Sequence, residues 1–262
     1  MGKVIAVANQ KGGVGKTTTS INLGSCLAQL GRKVLLVDSD PQGNTTSGLG
    51  VNRAFLKKCL YDLLIPTEIP CSLNEVLQET SITGMWLLPT TIRLAGAEVE
   101  LVSLIGREFR LKEALKSVVN QFDYIFVDCP PSLGLLTINA LSFADSMLIP
   151  IQCEYYALEG LGQLLNTLNA VKSLLNPRLE IFGVLLTMYD TRTNLSQQVA
   201  KEVQRVFGEK VFHTIIPRNV RLSEAPSFGQ PIIVYDSNSS GAEAYYNLAK
   251  EVLARDGKEK SW

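Results

Sequence analysis

The chain has 262 residues, 46% of them hydrophobic and 19% charged, which is long enough to bury a sizeable core in one large α/β domain or two small ones. Its 25 basic residues balance 25 acidic ones, so bulk electrostatics provide no affinity for nucleic acid and any such binding must come from a local patch. The five cysteines are odd in number and form no CxxC pair, which argues for reduced thiols over disulfides or a zinc site.

In chain order, Met1-Gly2-Lys3 leads straight into an apolar run over 3–8, read as a short buried strand, with no room for a secretory signal. Residues 19–31 follow with Ile21, Leu23, Leu27 and Leu30 at helical positions and Gly31 as the stop. Further strand-like runs lie at 33–37, 85–88, 124–127, 146–149, 181–186 and 211–215. Helical spacing is clearest over 106–121 and 158–175, a closing helix is expected over 242–253, and 256–262 reads as a charged, frayed tail. The longest apolar runs, such as 142–151, are broken by Asp145 and Pro150 and fall short of a membrane span, so a cytoplasmic protein is expected. This alternation predicts an α/β fold over 1–262: a single domain with a mostly parallel twisted sheet and helices on both faces. There is no internal repeat or linker, and 50–100 has the weakest pattern. Ligand chemistry should gather at the carboxyl ends of the strands.

Between the first strand and the first helix stands Lys11-Gly12-Gly13-Val14-Gly15-Lys16-Thr17-Thr18. The glycines let successive N–H groups point at one anion, Lys16 supplies a charge for the outer phosphates, and the Thr17 hydroxyl can hold Mg²⁺. Strand, glycine loop and helix is the setting that a P-loop of NTPase type requires. The general P-loop pattern would place its first glycine at position 10, where Gln10 stands instead.

With Lys11 at its start, the octapeptide resembles the deviant Walker A motif of the ParA and MinD group of ATPases. The resemblance runs from Val4 to about Ala254 and is greatest to chromosomal ParA proteins of the Soj type, which lack the amino-terminal DNA-binding region of some plasmid relatives. It implies that ATP and Mg²⁺ are the ligands, with Lys11, Gly12, Gly13, Val14, Gly15, Lys16, Thr17 and Thr18 around the phosphates. It also implies that Lys11 reaches across a homodimer to the partner's nucleotide, as an arginine finger supplied in trans does.

Two further strands end in acids. Leu35-Leu36-Val37-Asp38-Ser39-Asp40-Pro41-Gln42-Gly43-Asn44 runs from strand to turn, and strand-end carboxylates beside a P-loop suit metal and water management. In the family, the residue matching Asp40 positions or activates the attacking water; for Asp38 a catalytic role and a turn- or helix-fixing role both stay open. Tyr124-Ile125-Phe126-Val127-Asp128 reads as a Walker B strand whose Asp128 would hold the water shell of Mg²⁺ alongside Thr17. By resemblance, 130–134 would sense the γ-phosphate.

Thr187-Met188-Tyr189-Asp190 and 216–225 match two further family segments, from the second of which Pro217 and Asn219 would contact adenine. Arg192, Arg218 and Arg221 could form a basic face with Lys201, Arg205 and Lys210. By resemblance, the positions of Arg192 and Arg221 carry much of a DNA contact without sequence preference. The stretch 150–160 also matches the family. His213 is read as a core or packing histidine, and Cys129 and Cys153 as buried thiols beside the sheet.

Together these readings imply a DNA-segregation ATPase. An ATP-bridged dimer would bind nonspecific double-stranded DNA on the nucleoid, and a ParB-type partner would stimulate hydrolysis and release. A MinD-like membrane-associated positioning ATPase would need a carboxyl-terminal amphipathic helix, whereas 255–262 holds one aromatic residue and a glycine. A relative of the nitrogenase iron protein would need cysteines placed to bridge a cluster, an arrangement that Cys129 and Cys153 do not reproduce.

Overall fold

The computed structural model describes residues 2–67, 70–154 and 161–257. Its strands are β1 (Lys3–Val7), β2 (Val34–Asp38), β3 (Gln78–Glu79), β4 (Met85–Leu88), β5 (Tyr124–Asp128), β6 (Ser146–Gln152) and β7 (Glu180–Thr187). They form one sheet in the order β3-β4-β2-β5-β1-β6-β7. All pairings are parallel except that of β3 with β4. The α-helices are α1 (Lys16–Gln29), α2 (Asn44–Gly48), α3 (Leu60–Leu64), α4 (Leu94–Glu100), α5 (Arg110–Leu115), α6 (Leu135–Phe143), α7 (Leu161–Leu174), α8 (Asn194–Phe207), α9 (Val220–Glu224), α10 (Ile232–Tyr235) and α11 (Ser240–Arg255).

The strands are apolar at successive positions because both sheet faces are covered. Alternate side chains point to opposite sides. Ile5, Val7, Leu36 and Phe126 join a core with Leu23 and Leu27 of α1 and Leu248 and Val252 of α11. Val4, Ala6, Val37 and Val127 join the other, with Leu111, Leu136, Leu164 and Val203 from α5, α6, α7 and α8. Since every parallel strand runs the same way, the segments leaving β1, β2, β5, β6 and β7 emerge along one edge of the sheet, where the candidate residues collect.

Three expectations need correction. The run 211–215 is not a strand: its backbone meets β7 through the isolated bridge Val184–Val211 and the Phe212 N–H, which donates to the Val184 carbonyl at 2.9 Å. The reason is that the N–H groups of His213 and Thr214 donate to the Glu251 carboxylate, at 2.8 and 2.9 Å, and are lost to a ladder. The helix expected over 106–121 survives only as α5, flanked by 3₁₀ turns at Arg107–Phe109 and Val119–Gln121. Just after the second turn, Phe122 lies edge-on to Trp86, with ring centroids 5.5 Å apart. His213 is exposed, not packed, whereas Cys129 and Cys153 are buried as expected.

The sequence pattern has no sign of β3, whose two polar residues carry no alternation. At the carboxyl terminus, Asp256 is held by Lys3 and by the Tyr124 hydroxyl at 2.8 Å. Residues 258–262 of the expected tail, and 155–160 of the family-like stretch and the start of the helix expected over 158–175, lie outside the described residues.

Candidate nucleotide site

The loop after β1 takes its shape from two glycines in the left-handed region, Gly13 at φ 74° and Gly15 at φ 90°. Side chains at those positions would be strained, so the motif's glycines are a backbone requirement. The two strands on one side of β1, β6 and β7, pin the loop. The Thr187 hydroxyl at the end of β7 donates to the Val14 carbonyl at 2.9 Å. The Asn9 amide donates to the Pro150 carbonyl in β6 at 2.8 Å and accepts from the Lys11 N–H at 3.0 Å. Gly15 caps α1 without a side chain, so the helix's first N–H groups face the loop's mouth and suit an anion.

Lys16 is buried, and its ammonium donates to the Lys11 carbonyl at 3.0 Å. Burial lowers its pKa, against the opposing pull of Asp128, Cys129 and Asp40. The Lys11 ammonium points elsewhere, to Glu154 just past β6, at 3.7 Å. Thr17 and Thr18 lie half-buried at the start of α1, and Gly12 is exposed beside Pro131 of the 130–134 loop.

Parallel register places Asp38 directly opposite Asp128 at the ends of β2 and β5, with Val7 on the other side of Asp128. Asp128 Oδ2 accepts from the Thr17 hydroxyl at 2.7 Å and from the Thr45 hydroxyl at 2.6 Å, and Oδ1 accepts from Ser20 at 3.4 Å. Burial pushes its carboxyl up to about 6 despite these donors. Carboxylate and hydroxyl give an oxygen-only set at the mouth of the loop, which fits a hard cation such as Mg²⁺.

Asp38 is pushed up to about 7, by burial first and then by the charge of Asp128. Asp40 is 7% exposed; its carboxylate accepts from the Gln42 N–H at 2.9 Å, and its carbonyl accepts from the Gly43 N–H at 2.8 Å. Thr45, Thr46 and Ser20 are absent from the motif reading, while Thr187 and Glu154 fall in family-like segments to which that reading assigned no contact with the loop. The only signal for the first two is a pair of hydroxyl residues opening a short helix behind a strand-end acid.

Pro217 lies beside Tyr189 through a parallel bridge, and both border a cleft of about 670 Å³ with Arg192, Arg218 and Ser240. No residue of the glycine loop lines that cleft. The Asn219 side chain caps α9 by accepting from the Arg221 N–H at 2.8 Å and donates to Ser240 at 2.8 Å. One of its amide hydrogens therefore stays available for a ligand.

The three candidate DNA arginines are exposed, and each meets an acid of its own chain. Arg192 pairs with Asp190 at 2.6 Å, Arg218 with Glu154 at 3.5 Å, and Arg221 with Glu224 at 2.9 Å. Arg192 holds the Asp190 carboxyl down to about 2. Exposed pairs of this kind are weak and screened by salt, so phosphates can compete for the guanidinium groups. Arg192 and Arg218 share the cleft, Arg221 sits apart on α9, and Lys201, Arg205 and Lys210 lie exposed on and just after α8.

Comparison with known proteins bears on the family and the fold. Residues 2–181 match the family model described as an AAA domain. The chain is 61% identical to the sporulation initiation inhibitor protein Soj of Bacillus subtilis, over 97% of this chain and 99% of that one. It is 53% identical to the chromosome partitioning protein ParA of Myxococcus xanthus, over 98% and 89%. Its fold superposes with a TM-score of 0.86 on cobyrinic acid a,c-diamide synthase of Mycobacterium smegmatis with bound ADP and magnesium, at 40% identity over 99% and 97% of the two chains. A P-loop with its extra lysine, two acid-tipped strands and end-to-end similarity to Soj and ParA converge on one assignment: the chain belongs to the ParA/MinD family of deviant Walker A ATPases, on its ParA/Soj side.

Proposed function

We propose that the chain is a DNA-segregation ATPase that binds ATP with Mg²⁺, dimerises across the nucleotide and holds double-stranded DNA without sequence preference on the nucleoid. The amides of the glycine loop and of the first turn of α1 cradle the phosphates, and Lys16 neutralises the outer ones. The Thr17 hydroxyl and, through water, Asp128 would hold Mg²⁺, which would supply charge neutralisation at the phosphates. Asp40 orients the attacking water, and Lys11 leaves Glu154 to reach the nucleotide of the second subunit. Pro217 and the remaining Asn219 hydrogen contact adenine, and the 130–134 loop responds to the γ-phosphate. Arg192, Arg218 and Arg221 contact DNA phosphates, and a ParB-type protein accelerates hydrolysis, which dissolves the dimer and releases the DNA. No membrane contact belongs to this reading, and no helix among the described residues is long and apolar enough to cross a membrane.

The observation that supports the reading best is the 2.7 Å contact of Thr17 with Asp128 at the mouth of a P-loop carrying Lys11, in a chain 61% identical to Soj. The test is binding to unrelated DNA duplexes over a salt series, with ATP or ADP and Mg²⁺. Binding should require ATP and ignore sequence. In Arg192→Ala and Arg221→Ala the affinity should fall on every duplex, and the salt slope should become shallower by about 1 for each phosphate left without its arginine. Equal binding with ADP, or wild-type slopes in both variants that still dimerise, would reject the DNA assignment.

A further inference from the structure

We infer that Asp38 and Thr46 form a buried clasp that positions Asp40, an inference that rests on the reading of Asp40 as the residue orienting water. Asp38 and Thr46 are both fully buried. Asp38 Oδ2 accepts from the Thr46 N–H at 2.7 Å and from the Thr46 hydroxyl at 2.6 Å, while Oδ1 accepts from the Asp40 N–H at 3.3 Å. One carboxylate thus closes both ends of the segment that carries Asp40: its own N–H, and the first turn of α2. Inside that closed segment Gly43, at φ 65°, turns the chain so that its N–H returns to the Asp40 carbonyl at 2.8 Å.

The clasp is anchored on its far side as well. The Thr46 hydroxyl accepts from the Thr90 N–H just past β4, at 3.0 Å, and Thr90 is itself fully buried. Adjacent on α2, Thr45 donates to Asp128, so two neighbouring hydroxyls tie the helix to two strand-end carboxylates held in register. Position in the segment is therefore fixed to β2, β4 and β5 together.

The same geometry denies Asp38 a direct part in hydrolysis. Its oxygens are spent on three donors, and none reaches solvent in a residue that is 0% exposed. Asp38 is a positioning residue that acts through Asp40. An ionised carboxylate offers acceptors only, which matches three converging donors; an asparagine must turn its NH₂ toward one of them. The weaker partner, the Asp40 N–H, is the one that an asparagine would give up.

The test compares Thr46→Val, Thr46→Ser and Asp38→Asn with wild type, and with Asp40→Ala as a control, using single-turnover hydrolysis and calorimetric ATP binding. A misplacement near 1 Å can cost about 100-fold in rate, so kcat in Thr46→Val and Asp38→Asn should fall about 10- to 100-fold while ATP affinity stays within about threefold. Thr46→Ser, which keeps the hydroxyl, should restore turnover. Wild-type turnover in Thr46→Val overturns the inference, as does a parallel loss of affinity and turnover that serine does not rescue. Collapse of the fold in both variants would assign the clasp to folding alone and also overturn it. Undiminished hydrolysis in Asp40→Ala would instead reject the reading of Asp40, a result separable from failure of the clasp.

Discussion

Replacing Asp40 with alanine should separate nucleotide binding from turnover, and the structure sets the size of each effect. The carboxylate accepts one hydrogen bond, from the Gln42 N–H at 2.9 Å, whose loss costs about 1 kcal/mol. The charge of Asp40 also raises the pKa of Asp128, so its removal relieves a repulsion and offsets part of that cost. In a domain of this size 1 kcal/mol moves Tm by about 2–4 °C. A group that orients or activates water contributes about 10²- to 10⁴-fold, which is about 3–5 kcal/mol in the barrier. The variant should therefore melt close to wild type, bind ATP with Mg²⁺ almost unchanged, dimerise, and hydrolyse more slowly by about 100-fold or more. Single-turnover hydrolysis, calorimetry, light scattering on a sizing column and thermal melts read the four quantities. A rate within about tenfold of wild type would refute the assignment, and failure to dimerise with ATP would make Asp40 structural or part of the metal site.

The remaining expectations concern the two lysines and the buried carboxyls. Lys16→Ala should abolish tight ATP binding, because the amides alone leave the outer phosphates poorly neutralised; unchanged affinity in calorimetry would contradict this. Lys11→Ala should keep monomeric nucleotide binding yet lose ATP-driven dimerisation and hydrolysis, and a wild-type dimer mass with ATP would count against its role in trans. In metal-free protein, Asp38 at about 7 and Asp128 at about 6 are raised above the ordinary carboxyl value, so their protonated forms favour the fold. Their contribution is present below the unfolded pKa of about 4 and is lost as pH rises through about 6 to 7. Denaturant midpoints of wild type minus Asp128→Asn should accordingly fall across that window, and a flat or rising difference would show that burial does not govern the pair.

The local pattern was enough for the fold class and for the phosphate loop. Buried parallel strands write themselves as continuous apolar runs, and Gly13, Gly15, Lys16 and Thr17 are demanded by backbone conformation and charge within one short stretch. Such requirements act over a few residues and so can be read in order. Resemblance extended that reading to Asp40, Asp128 and the arginines, but not to how they are held.

What escaped depends on partners distant in sequence. Nothing near 211–215 announces that Glu251 will take the N–H groups of His213 and Thr214 and keep the segment out of the sheet. Nothing near Lys11 announces Glu154, and nothing near Asp38 announces that Thr46 and Thr90 complete its network. A carboxylate at a strand end has the same local sequence whether it holds a metal, orients water or closes a loop. Only the tertiary structure gives the two acids different surroundings: sheet register sets Asp38 beside Asp128, Thr17 of α1 and Thr45 of α2 both donate to Asp128 Oδ2, and Thr46 donates to Asp38.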